Sequence, residues 1–231
     1  MKVDKYIGQS GFMSRGKAYE LIGQKKITVN GKLATYSTKI NEGDVVLVNG
    51  IDIRTKTFVH TYIVYNKPKG IVCTTEKVEG NIIGAINHPQ QIFPVGRLDK
   101  DSEGLILLTS NKPLIDKIAN PKFKHEKEYV VTLNLPVRAQ FLKEISEGIK
   151  IQDDRTKPCK VSMVPNTKRV FKIILTQGLN RQIRRMCNAY DYQVIKLERI
   201  RLIHLELGNL KPGEWRDLTR EELHTLLEVL S

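Results

Sequence analysis

With 231 residues, 40% of them hydrophobic, the chain has enough apolar material for one sizeable core and a small second domain, and no run long enough to span a bilayer. Lys and Arg number 38 against 25 Asp and Glu, a net charge of +13 that points to a polyanion. Nucleic acid stands ahead of an anionic membrane, because no basic amphipathic helix carries a broad apolar face. Three cysteines without a CxxC pair and five histidines without ligand spacing give neither a disulfide framework nor a zinc signature, so no metal site is expected. The segment MKVDKYIGQSGF lacks the apolar core of a secretion signal, which makes the cytoplasm the expected compartment.

VDKYIGQSG reads as a short helix ended by Gly11. Ser14 reads as the cap of a second helix, RGKAYELIGQKK, whose Ala18, Leu21 and Ile22 share one face. Lys5, Arg15, Lys17, Lys25 and Lys26 decorate the pair. ITVNGKLA follows as a hairpin turning on Asn30-Gly31, and GDVVLVNG as a strand closed by a second Asn-Gly. Up to position 61 there are ten basic against five acidic residues. By themselves these features fit a small α+β domain with a solvated basic face as well as an RNA-binding one. A linker is expected at about residues 52 to 61.

HTYIVYNKPKGIVCTT opens a second unit, residues 62 to 231, as a strand, a Pro/Gly turn and a further strand. EYVVTLNL, KVSMVP, VFKIILTQG, YQVIKLERIRLIHLEL and EWRDLT read as strands, and AQFLKEISEGI, RQIRRMCNAY and REELHTLLEVL as helices. Within this unit GRLDKDSEGLILLTS, residues 96 to 110, sets a cation and a carboxylate just ahead of an apolar strand. Taken alone, the stretch is a turn, since Asp99, Asp101 and Ser102 are common turn and cap residues.

The order of elements over residues 1 to 50 resembles the RNA-binding domain named after small-subunit ribosomal protein four, in which paired helices present basic residues to structured RNA. Gly8 inside the first helix is a departure. NKPKG at 66 to 70, GRLDKDSEGLILLTS at 96 to 110, HEKEYVV at 125 to 131, GLNRQIRRM at 178 to 186 and GEWRDLT at 213 to 219 run in the order found in pseudouridine synthases of the RsuA/RluF type. That resemblance covers the whole chain and is greatest to the RluF subgroup, which acts on 23S ribosomal RNA. Ser102 and Asn111-Lys112-Pro113 stand where the wider family has a threonine and an Asp-Gly pair. The resemblance implies an α+β fold: a helical and hairpin RNA-binding domain with its linker at 1 to 61, and a catalytic domain at 62 to 231 built on a mixed, mainly antiparallel sheet flanked by helices. It also implies RNA as the partner, 23S ribosomal RNA first, with 16S ribosomal and transfer RNA left open. The protein is expected to act as a monomer.

Pseudouridine formation breaks the bond from ribose to the uracil nitrogen, turns the base and rejoins it through carbon, so it consumes nothing and no cofactor is expected. A stacked uridine must first be flipped out of the RNA. The resemblance puts Asp99 at the family's catalytic aspartate, either as nucleophile towards the anomeric carbon or as base towards the neighbouring sugar carbon. It puts Arg184 at the basic residue that pairs with that aspartate, with Arg185 as the near alternative and otherwise a contact to an RNA phosphate. Tyr129 matches the active-site tyrosine, whose ring can stack on the flipped uracil. Arg97 matches the GRLD arginine, which can fill the gap left by the base and contact phosphate. Judged without the resemblance, Tyr129 is a core residue at a strand start, and Arg97 makes a local ion pair with Asp99 or Asp101. Lys67 and Arg181 are expected at backbone phosphates, NKPKG otherwise shaping a strand exit. Two other classes are weighed: an RNA chaperone or ribosome-associated factor without activity, and a glycosidase, which GRLD does not favour because it lacks the second carboxylic acid.

Overall fold

The computed structural model describes residues 1–54, 60–76, 78–152 and 154–230 and divides the chain into two compact units, Met1–Thr61 with Ser110–Pro113 and Tyr62–Thr109 with Leu114–Ser231. In the first unit α1 (Val3–Gln9) ends at Ser10, whose N–H closes on the Tyr6 carbonyl. The Ser14 side chain accepts from the Lys17 N–H and starts α2 (Arg15–Gly23), whose Ala18, Leu21 and Ile22 are buried in one cluster with Val3, Ile7 and Ile27. β1 (Ile27–Val29) and β2 (Lys32–Leu33) close on Asn30 and Gly31, whose φ values of 51° and 79° suit a two-residue turn. β3 (Val46–Val48) and β4 (Ile51–Asp52) repeat the device with Asn49 and Gly50, so the second Asn-Gly joins two strands rather than ending one. The four strands form one sheet in the order β2-β1-β3-β4. Of the expected linker, Ile51–Asp52 is strand and residues 55–59 lie outside the described residues.

The second unit is built on a sheet of nine described strands. In chain order these and the helices are β5 (Tyr62–Lys67), α3 (Ile82–Ile86), β6 (Phe93–Pro94), β7 (Glu103–Thr109), α4 (Lys112–Ala119), β8 (Lys127–Leu133) and α5 (Ala139–Glu147). After the separate ribbon of β9 (Lys150–Ile151) and β10 (Asp154–Arg155) come β11 (Lys160–Met163), β12 (Val170–Leu175), α6 (Gln182–Asn188), β13 (Val194–Leu202), β14 (Leu205–Glu206), β15 (Trp215–Asp217) and α7 (Arg220–Val229). The sheet runs β11-β12-β8-β13-β7-β5-β15, with β6 on β7 and β14 on β13, and its neighbours are antiparallel except β13 and β7. The mixed, mainly antiparallel sheet with flanking helices is therefore as expected.

Strand β7 lies inside this sheet and is buried on both faces. Leu105 and Leu107 join a cluster with Leu205 and with Leu226 of α7, while Ile106 and Leu108 join Tyr65, Ile82 and Ile86 on the other side. That is why LILL is a continuous apolar run rather than an alternating one. Two expected strands differ. Residues 71–75 form none: Val72 makes an isolated bridge to Asn81, and the Thr74 N–H turns back onto the Val72 carbonyl, with Asn81 then capping α3. The run from 192 to 207 is interrupted at Ile203, whose φ of 58° ends β13 before β14 begins. No helix among the described residues is long and apolar enough to cross a membrane.

Candidate active site

The turn at 96–102 is fixed from three sides. The Ser102 N–H donates to the Asp99 carbonyl at 3.0 Å and the Gly70 N–H to the Lys100 carbonyl at 2.8 Å, while the Leu98 N–H reaches Cys73 Sγ at 3.4 Å. Gly104 follows with a φ of +100°, and a Cβ there would stand 2.3 Å from the Arg199 carbonyl oxygen. Only glycine lets β7 and β13 come this close where they run parallel, Glu103 and Gly104 beside Glu198 and Arg199. The Asp99 turn, just ahead of Glu103, is thereby held beside the middle of β13.

A cleft of about 280 Å³ opens at this point. The turn residues Arg97, Leu98, Asp99 and Ser102 form one side, and the segment from Leu175 to Ile183 forms another. Lys127, Tyr129, Leu197, Arg199 and Leu202 line it from β8 and β13, and Ile118 and Ala119 from α4. Tyr129 sits opposite Ile173 on β12 and Arg199 on β13, and Lys127 lies two residues away on the same face of β8. Arg97 is exposed and makes no ion pair among the described residues, so the local pairing with Asp99 or Asp101 is not observed.

Asp99 meets a cation, but not the expected one. Arg181 Nη1 stands 3.9 Å from the Asp99 carboxylate and 3.6 Å from that of Asp101. Arg184 instead donates to the Asp101 carbonyl at 3.1 Å and the Val194 carbonyl at 3.2 Å. The cause is local backbone: Arg181 is the N-cap of α6 with φ 47° and ψ 33°, outside the helix, whereas Arg184 lies a turn inside it. Burial and then Arg181 lower the Arg184 pKa, while Asp101 and Asp99 pull it the other way, so Arg184 feels the Asp99 charge without bonding to it. Arg185, expected at RNA, is used internally. Its guanidinium donates to the Asp154 carboxylate at 3.1 Å and the Ile151 carbonyl at 2.7 Å.

Lys67 is a second correction. It is fully buried, and its ammonium donates to the Pro68 carbonyl at 2.9 Å, so it offers nothing to a phosphate at the surface. Burial lowers its pKa, against Cys73, Asp99 and Asp101, which raise it. In the first unit Lys5, Arg15, Lys17, Lys25 and Lys26 are all exposed. Arg15 pairs with Asp4 and Lys17 with Glu20, and the other three make no ion pair among the described residues.

Two cleft residues escaped the reading of the sequence. Lys127 is half-buried and its ammonium donates to the His125 carbonyl at 3.2 Å; burial, and then Arg199, push its pKa down to about 8. Arg199 is 2% exposed, with Nε donating to the Leu105 carbonyl at 2.7 Å. The available signal was a charged residue repeatedly interrupting the apolar positions of VIKLERIRL, which does not distinguish Arg199 from Arg201.

Residues 61–189 match the model of the RNA pseudouridylate synthase family, and residues 1–46 match the S4 domain. The chain belongs to the RNA pseudouridylate synthases. This synthase is 45% identical over its whole length to the dual-specificity RNA pseudouridine synthase RluF of Escherichia coli K12, covering 79% of that protein. It is 33% identical over 97% of its length to the ribosomal large subunit pseudouridine synthase B of Bacillus subtilis, covering 95% of it. A crystal structure of a pseudouridylate synthase matches 98% of the chain and 99% of its own, with a TM-score of 0.71 and 28% identity. The synthase is thus an isomerase that converts uridine to pseudouridine in RNA, and a binding factor without activity is not favoured.

Proposed function

We propose that this synthase modifies a uridine of 23S ribosomal RNA, in the cytoplasm and as a monomer, with Asp99 as the catalytic residue. The observation that carries the assignment of roles is the convergence of Asp99, Tyr129 and Arg97 on one cleft, with Arg181 beside the carboxylate. Asp99 acts on the sugar, by attack at the anomeric carbon or by taking a proton from its neighbour. Tyr129 projects from the sheet as the surface on which the flipped base stacks. Exposed Arg97 is free to enter the gap left in the RNA and meet its phosphates. Arg181 sets a cation 3.9 Å from the carboxylate, and Arg184 is a positioning residue that ties the turn to β13 through the Asp101 and Val194 carbonyls.

The division of labour follows the two units. Residues 1–61 anchor the RNA through Lys5, Lys25 and Lys26, with Lys17 contributing once its surface ion pair with Glu20 is exchanged for phosphate, and with exposed Arg15 meeting phosphate while it keeps its bond to the buried Asp4; residues 62–231 do the chemistry. The large ribosomal subunit in the name of the Bacillus subtilis relative and the likeness to RluF support the choice of 23S RNA. Mapping pseudouridines in total RNA from a deletion strain tests it. One 23S position should be lost; loss only in transfer RNA or 16S RNA would overturn the choice of substrate.

A further inference from the structure

The cleft is lined by two cations that the roles above leave unused. Arg199 is 2% exposed, and while its Nε is satisfied by Leu105, its Nη2 has no hydrogen-bond partner among the described residues. Neither Arg199 nor Lys127 makes an ion pair among the described residues, and the two lie on adjacent strands within reach of each other's charge. A desolvated guanidinium with an unused donor, beside a second cation, is costly to the fold. Such an arrangement is retained most readily where a ligand uses it. The Ser102 hydroxyl, 1% exposed and also without a partner, lines the same cleft.

We infer that Arg199, helped by Lys127, donates to the carbonyl oxygens of the flipped uracil and carries its negative charge while the base is detached from the sugar. The inference rests on the reading of this cleft as the site of uridine isomerisation. When the C1′–N1 bond breaks, its electron pair stays on the base and spreads over N1, O2 and O4. C5 then joins C1′, the C5 proton leaves, and N1 takes one up, so no co-reactant is needed. Fixed donors aimed at O2 and O4 stabilise the charge as it develops and cost no reorganisation at that moment. Ser102 can serve the N3–H between those two carbonyls. A phosphate is the other anion that RNA offers, but Leu98, Leu175, Leu197 and Leu202 line the same cleft and suit a flat ring better than a hydrated ion.

The test is single-turnover conversion of a short target RNA carrying uridine, 2-thiouridine or 4-thiouridine at the target, since sulfur is the poorer acceptor. Arg199→Gln should slow the uridine substrate by about 10²-fold with RNA affinity within a few-fold of wild type. The thio-substitution that slows wild type should cost this variant nothing further, because the partner of that oxygen is already gone. Lys127→Met, at a half-buried position, should lose about tenfold and show the same loss of sensitivity at one of the two oxygens; it carries the test if Arg199→Gln does not fold. Thio effects that multiply unchanged onto both variants would assign a purely structural role and overturn the inference. Wild-type rates in either folded variant would also overturn it for that residue. A wild-type protein that binds the RNA and converts none of it would instead overturn the reading of the cleft on which the inference stands.

Discussion

The positive charge of this synthase takes two physical forms. On the first unit Lys5, Lys25 and Lys26 stand in water, Lys17 is occupied by the exposed Glu20, and Arg15, itself exposed, pairs with the buried Asp4. In the cleft, Arg199 is withdrawn from water and Lys127 half so, neither with an ion pair among the described residues, and Arg184 beside the Asp99 turn bonds to two backbone carbonyls. Exposed cations are interchangeable and salt-screened, and each adds a modest increment by releasing counterions from a phosphate. Buried cations are neither screened nor interchangeable, and each acts on one atom. On the proposed roles a single net charge conceals a recognition surface and a reaction site, which should fail differently when broken.

The largest effect expected is at the carboxylate. Asp99→Asn should lower single-turnover conversion by about 10³-fold or more, as loss of a principal catalytic group does elsewhere, while RNA affinity stays within a few-fold. Conversion near the wild-type rate would remove Asp99 from the reaction. Next comes the turn itself. Arg184→Ala should cost about 10²-fold, because releasing the Asp101 carbonyl lets the carboxylate drift by a fraction of an ångström to an ångström. Arg181→Ala should cost less, since its 3.9 Å approach to Asp99 is part-exposed. The reverse order would return the pairing role to Arg184.

Smaller effects are expected on the surface. Replacing Lys5, Lys25 and Lys26 together by Ala should weaken binding several-fold and reduce the slope of log affinity against log salt by about 0.7 to 0.9 for each phosphate that is no longer neutralised. The rate at saturating protein should not change, and an equal fall in that rate would merge the two kinds of charge into one. The last effect is on stability and leaves the rate aside. The Lys127 ammonium titrates near 8 in the fold and near about 10.4 in an unfolded chain. Between those values the unfolded state holds more protons, so the penalty for burying the charge is full below pH 8 and is relieved as pH rises towards the unfolded value. Urea midpoints of wild type should gain on those of Lys127→Met across that window, and parallel curves would contradict the placement of Lys127.

Features governed by neighbouring residues were legible in the sequence. Asn30-Gly31 must turn because both residues accept a left-handed backbone, and Ser14 caps a helix with a bond three residues away. The run in β7 was legible as a strand because both of its faces are buried. The run Ile71 to Thr75 reads as strand on the same grounds, yet it finds no strand to pair with beyond a single bridge. The exchange of Arg184 for Arg181 beside Asp99 turns on one left-handed cap residue, which the residue order NRQIRRM does not encode on its face. Lys127 and Arg199 gain their character only when β13 is laid between β8 and β7, from distant parts of the chain. No local pattern announces a burial created by that pairing.

The separation of recognition from reaction can be measured directly on one RNA. Equilibrium affinity and the single-turnover rate constant at saturating protein should be followed together as salt is raised from about 50 to 200 mM. Affinity should fall steeply while the rate constant stays level, since the groups at the reacting base are shielded from ions. A rate constant that falls in step with affinity would contradict the division and place the reaction under the control of the surface charges.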